Sequence, residues 1–126
     1  MARILIVDDE PSIVECLRDL LESRGHFVLE AGCLSDAVTI VRSSAIEVAF
    51  IDGQFPRNEG DRTTGNFGPL LSKQARTLGV RTILISANLD LTEAERSAGF
   101  EALDKPFRLV DVLGAVAEAA LAGSAV

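Results

Sequence analysis

Five side chains in this sequence could together handle a phosphoryl group: Asp8, Asp9, Asp52, Ser86 and Lys105. Each sits at the end of a short apolar run. Residues 4–7 stop at Asp8-Asp9, residues 48–51 at Asp52, and residues 82–85 at Ser86. A weaker run, 100–103, leads into Asp104-Lys105-Pro106. Three carboxylates brought together repel one another. A hard divalent cation relieves that repulsion, and Mg²⁺ favours oxygen ligands in octahedral geometry. With the cation bound, one carboxylate is a nucleophile toward phosphorus. The cation, the Lys105 ammonium and the Ser86 hydroxyl would then hold the equatorial oxygens. The product is an aspartyl phosphate.

Taken singly, these residues have plainer readings. An Asp at a strand end caps a helix or carries a solvated charge. A lone Ser suits a turn, and a lone Lys is a surface charge. Only elements that bring all five to one place override those readings. Residues 4–7 are continuous Ile, Leu and Val, as in a strand buried on both faces. Pro11 suits a first helical turn, Ile13, Val14, Leu17, Leu20 and Leu21 follow a helical period, and Gly25 ends the helix.

The alternation continues with a strand at 27–30, a helix at 34–43, a strand at 48–51 and a helix at 70–78. A strand at 82–85, a short helix at 90–98, a weak strand at 100–103 and an amphipathic helix at 109–121 complete it. Two capping boxes could start the short helix, Asp90 with Glu93 or Thr92 with Glu95. Five strand–helix pairs predict an α/β fold, a doubly wound five-stranded parallel sheet with helices on both faces. The expected strand order is 2-1-3-4-5. Ligands of such sheets bind beyond the carboxyl ends of the strands, near the switch point. All five groups emerge at that edge.

Four motifs in order carry a resemblance: Val-Asp-Asp-Glu-Pro, a lone Asp ending the third strand, Ser-Ala ending the fourth, and Lys-Pro-Phe after the fifth. Together they resemble a response-regulator receiver domain over residues 3–122, leaving 123–126 as a frayed tail. The resemblance implies roles. Asp52 is the phosphoacceptor, Asp9 a direct Mg²⁺ ligand, Asp8 its partner through water, and the Gln54 carbonyl a main-chain ligand. Ser86 is the switch hydroxyl and Lys105 the lysine that pairs with the phosphoryl group, with Lys105–Pro106 cis. The implied donor is a histidine kinase or a histidine phosphotransfer protein, and the implied output is a downstream protein partner. A homodimer on phosphorylation is one form that output can take. Such a domain catalyses only its own phosphorylation and dephosphorylation.

The sequence also departs from the family. Residues 61–68 intervene between Gly60 and the third helix, an insertion beside Asp52. The plain expectation is a mobile surface loop; the sharper one is a lid, with Arg57 or Arg62 reaching the phosphoryl group. Position 102, where the family often has an aromatic residue, is Ala. The usual hydroxyl–aromatic coupling is therefore absent.

Other classes fit less well. A Mg²⁺-dependent phosphohydrolase of the haloacid-dehalogenase type needs an acid two residues after its nucleophile, and position 54 is Gln. A degenerate receiver serving as a scaffold would have lost an acid or the lysine, and none is missing. A flavodoxin needs a Gly/Ser/Thr phosphate cradle where this chain is acidic.

With 126 residues, 48% hydrophobic and 25% charged, the chain can form one folded domain. Twelve basic against nineteen acidic residues give a net charge of −7, which disfavours nucleic-acid binding by this domain alone. No apolar run approaches a membrane span, and the N-terminal run is too short for a signal peptide. A cytosolic location is expected. Cys16 and Cys33 lack metal-type spacing and read as free thiols, and His26 has no second His.

Overall fold

The computed structural model describes residues 1–124, with side chains through Glu118. The elements alternate as β1 (Arg3–Val7), α1 (Pro11–Ser23), β2 (Phe27–Ala31), α2 (Leu34–Ser43), β3 (Val48–Asp52), α3 (Phe67–Thr77), β4 (Arg81–Ser86), α4 (Leu89–Ser97), β5 (Glu101–Asp104) and α5 (Leu109–Ser124). The five strands form one sheet in the order β2-β1-β3-β4-β5, all pairs parallel. Class, strand order and helix count are those expected from the sequence.

Side-chain alternation divides the core into two layers. Leu5, Val7, Ala49, Ile51 and Leu84 face one way, against α2 and α3 through Ala37, Val41, Leu71 and Ala75. Ile4, Ile6, Val48, Phe50, Ile83 and Ile85 face the other, against α1 and α5 through Leu17, Leu21, Val112 and Val116. The central strands are therefore apolar at every position, which is why they read as continuous runs.

Three boundaries differ from expectation for identifiable reasons. Helix α3 begins at Phe67, one turn early, because Pro69 lies within the first turn, where a missing N–H costs nothing. Helix α4 is capped by Asn88, whose side chain accepts from the Asp90 N–H, and neither expected capping box forms. Helix α5 runs through Ser124. Gly123 and Ser124, expected to belong to a frayed tail at 123–126, are the end of this helix, and 125–126 lie outside the described residues.

Candidate phosphoacceptor and metal site

β1, β3, β4 and β5 end side by side, and their terminal residues meet. The backbone N–H of Gly53 donates to the Ile85 carbonyl (3.0 Å), and that of Lys105 donates to the Ser86 carbonyl (2.9 Å). Asp52 is thereby fixed beside β4, and Lys105 beside Ser86. The Lys105–Pro106 peptide is cis.

Lys105 Nζ reaches across the edge. It lies 3.0 Å from Asp8 Oδ2, 3.2 Å from Glu10 Oε1 and 3.5 Å from Asp52 Oδ1. Asp8 and Asp52 are buried, and the Asp8 carboxylate also accepts from the Glu10 N–H at 2.9 Å. Burial and the neighbouring Asp8 push Asp52 up to about 7, against the pull of Lys105 and of the Gln54 backbone N–H. Burial pulls the Lys105 ammonium down, but the hydrogen bond and charge of Asp8 and the charge of Asp52 outweigh it. The net shift is upward.

Carboxylate oxygens of Asp8, Glu10 and Asp52 lie within 4.8 Å of one another, a spacing that suits a small cation. Glu10, the acid that follows the Asp pair, is part of this cluster. Asp9, implied by the resemblance to be a direct metal ligand, is exposed and is not part of it. Partial desolvation raises the Asp9 pKa, with its neighbours Asp8 and Glu10 adding to the rise. The chain bends at Asp9, and the Lys105 ammonium meets both the Asp8 and the Glu10 carboxylates. Asp8 and Glu10 therefore share a side.

Ser86 is buried, and its hydroxyl oxygen accepts from the Asn88 N–H at 3.0 Å. A Cβ on Gly53 would come within 2.6 Å of that oxygen. Glycine at 53 is what allows the hydroxyl to lie against the residue following Asp52.

The inserted segment is folded onto this edge. Phe55 and Gly65 exchange two backbone hydrogen bonds, 3.2 and 3.1 Å, in an isolated antiparallel bridge. Phe55 is fully buried and its ring packs at 6.0 Å from that of Phe67. Arg57 does not reach toward Asp52. Its guanidinium covers the Phe67 ring at 4.9 Å. Arg62 is exposed. The carbonyls of Pro56 and Arg57 accept from the Leu34 and Ser35 N–H groups, at 2.9 and 3.0 Å. They satisfy the first turn of α2, whose N-cap Cys33 makes no side-chain bond to the helix backbone.

At position 102 the alanine leaves the α4 side of β5 without a ring. Polar contacts stand there instead. Thr92 donates to Asp104 at 2.6 Å, and Arg96 donates to the Ala102 carbonyl at 3.0 Å and to Asp104 at 3.2 Å. Sequence reasoning missed this cluster; Asp104 beside Lys105 was its only visible signal.

Parallel strands in this order, ending in a buried aspartate pair bridged by a lysine, define a receiver-type fold. Residues 4–117 match the response regulator receiver domain family, and the chain belongs to it. It is a receiver domain of two-component signalling. Protein PilH of Pseudomonas aeruginosa is 33% identical over 109 residues, covering 84% of this chain and 87% of that protein. A CheY-like receiver domain protein from Methanospirillum hungatei JF-1 superposes with a TM-score of 0.76 at 27% identity, covering 94% of this chain and 92% of that one. The response regulator TrrA of Thermotoga maritima, solved in complex with Mg²⁺ and BeF, shares the fold with a TM-score of 0.78 at 24% identity, over 94% of this chain and 99% of that one. Among the described residues no helix is long and apolar enough to cross a membrane.

Proposed function

We propose that Asp52 accepts a phosphoryl group from a phosphohistidine on a histidine kinase or histidine phosphotransfer protein. The change is then signalled to a downstream protein partner, as a monomer or a phosphorylation-dependent homodimer. The observation that carries this reading is Lys105, held between Asp8 and Asp52 at 3.0 and 3.5 Å. One ammonium there can follow charge from the carboxylate onto a phosphoryl oxygen.

In transfer, an Asp52 oxygen forms a bond to phosphorus as the bond from phosphorus to the donor breaks. The donor keeps the bonding pair. Ser86 and Lys105 stabilise the equatorial oxygens, and the only reactions the domain catalyses are its own phosphorylation and dephosphorylation.

The acidic donors fit Mg²⁺: hard oxygens, closely spaced, and repelling one another in its absence. Asp8, Asp52 and the Gln54 carbonyl would hold it, with Asp9 or Glu10 completing the protein ligands. When bound, it neutralises charge at the attacking and transferring oxygens. A cytosolic location belongs to the same reading and is supported by the free thiols of Cys16 and Cys33. The net charge of −7 supports protein rather than nucleic-acid partners for this domain alone.

The test is intact mass after incubation with Mg²⁺ and acetyl phosphate. One acid-stable, base-labile phosphoryl adduct is expected on the wild type and none on Asp52→Asn, whose amide is a poor nucleophile. An adduct forming on Asp52→Asn at the wild-type rate overturns the assignment.

A further inference from the structure

Gln54 is the second residue after Asp52, and its backbone N–H favours the ionised form of the Asp52 carboxyl. Its side chain therefore starts beside the phosphoacceptor. It is not free there: Gln54 Nε2 donates to Asn66 Oδ1 at 2.5 Å. Asn66 comes from the inserted segment and is the N-cap residue of α3. Asparagine at that position ordinarily accepts from the helix's own N–H groups. Here it makes no such bond, and its oxygen serves Gln54 instead. Neighbouring contacts fix Asn66 on both sides. Gly65 is locked to Phe55 by the backbone bridge, and the Gly68 N–H donates to the Gly53 carbonyl at 3.1 Å.

We infer that Asn66 is a positioning residue for hydrolysis of the aspartyl phosphate, acting by holding the Gln54 amide. This rests on Asp52 being the phosphoacceptor. In hydrolysis, a water oxygen bonds to phosphorus while the bond from phosphorus to Asp52 breaks. The carboxylate keeps the electron pair, and both protons of the water leave on dihydrogen phosphate. The attacking water needs an acceptor to orient it, and a glutamine amide serves that purpose in other phosphoryl-transfer sites. With Nε2 committed to Asn66, Oε1 is the amide atom left to accept from a water. Fixing the amide beforehand removes the rotamer search of a flexible glutamine. The inserted segment thereby sets how long the signal lasts without touching the phosphoryl group.

Four full-length proteins test this: wild type, Asn66→Ala, Gln54→Ala and the double variant. Each is phosphorylated with acetyl phosphate and Mg²⁺, freed of donor, and followed by loss of the adduct mass. Asn66→Ala should lengthen the adduct lifetime about two- to tenfold, the range of one hydrogen bond. In the Gln54→Ala background the same substitution should change nothing. Equal effects in both backgrounds, or none in the wild type, overturn the inference while leaving the phosphoacceptor intact. Failure of any adduct to form overturns both. A second readout needs no phosphorylation: the Gln54 side-chain amide pair in a ¹⁵N-correlated spectrum. Those resonances should move in Asn66→Ala, and unmoved resonances would contradict the tie.

Discussion

The hydroxyl of Thr92, fully buried on α4, donates to Asp104, the residue preceding Lys105, at 2.6 Å. That bond, reinforced by the Arg96 guanidinium, holds the Asp104 carboxyl below the usual carboxylate range. It joins α4 to the end of β5 on the strand face where Ala102 leaves no ring. Thr92→Val keeps the shape and removes the donor. Stability should fall by about 1–2 kcal/mol, measured by urea unfolding, and hydrogen exchange should rise along α4. Unchanged α4 exchange would mean that packing alone holds the helix.

Asp52 sets a pH dependence in the metal-free protein. Its ordinary value is 3.8 and its folded value is about 7. Between the two, the unfolded chain is ionised while the folded one keeps its proton. Stability from this group is therefore present below about pH 4 and is lost as pH rises toward about 7. Asp52→Asn cannot ionise. It should exceed the wild type in chelator at pH 8, and that advantage should shrink as pH falls and vanish only at about pH 4. Parallel stability–pH curves for the two proteins would refute this.

Lys105→Met removes the ammonium that bridges Asp8, Glu10 and Asp52. Breaking a fully buried pair costs ~3–5 kcal/mol. Here Asp52 can take up a proton, so a loss of about 2 kcal/mol is expected in chelator. Millimolar Mg²⁺ should restore part of it by supplying the missing positive charge. Thermal melts with and without Mg²⁺ measure both, and a deficit indifferent to Mg²⁺ would argue against a cation at this cluster.

Gly68 packs flush against the phosphoacceptor strand. A Cβ there would lie 2.3 Å from the Asp52 carbonyl oxygen and 2.7 Å from Gly53 Cα, both backbone atoms. Gly68→Ala must push α3 outward. It should destabilise by about 1–3 kcal/mol, the range for overpacked sites, and slow adduct formation. A stability equal to wild type would show that α3 shifts freely.

The sheet and the edge of the site were legible because their signals are local. Four apolar runs with a charged or hydroxyl residue at the end, separated by helical periods, leave little freedom in topology. The details that escaped depend on contacts distant in sequence. Asn88 displaced two plausible capping boxes because its side chain meets the Asp90 N–H first. Glu10 joined the acidic cluster because Lys105, ninety-five residues away, draws it in. Arg57 looked like a candidate anion contact, and the Phe67 ring took it instead. A loop of Gly, Asn, Thr and Arg signals irregular backbone, but not that Phe55 and Gly65 will close it.

That closure insulates the chain it encloses. Pro56 and Arg57 are committed through their carbonyls to α2, and Gly65 to Phe55, so residues 58–64 are bounded by fixed ends. Chain added between fixed ends changes closure entropy slowly, by ~0.6 kcal/mol for each doubling of length. Residues 58–64 are thus a port at the rim of the site, where a peptide tag or a reporter could be spliced in while Asp52, Gly53 and Gly68 keep their mutual fit.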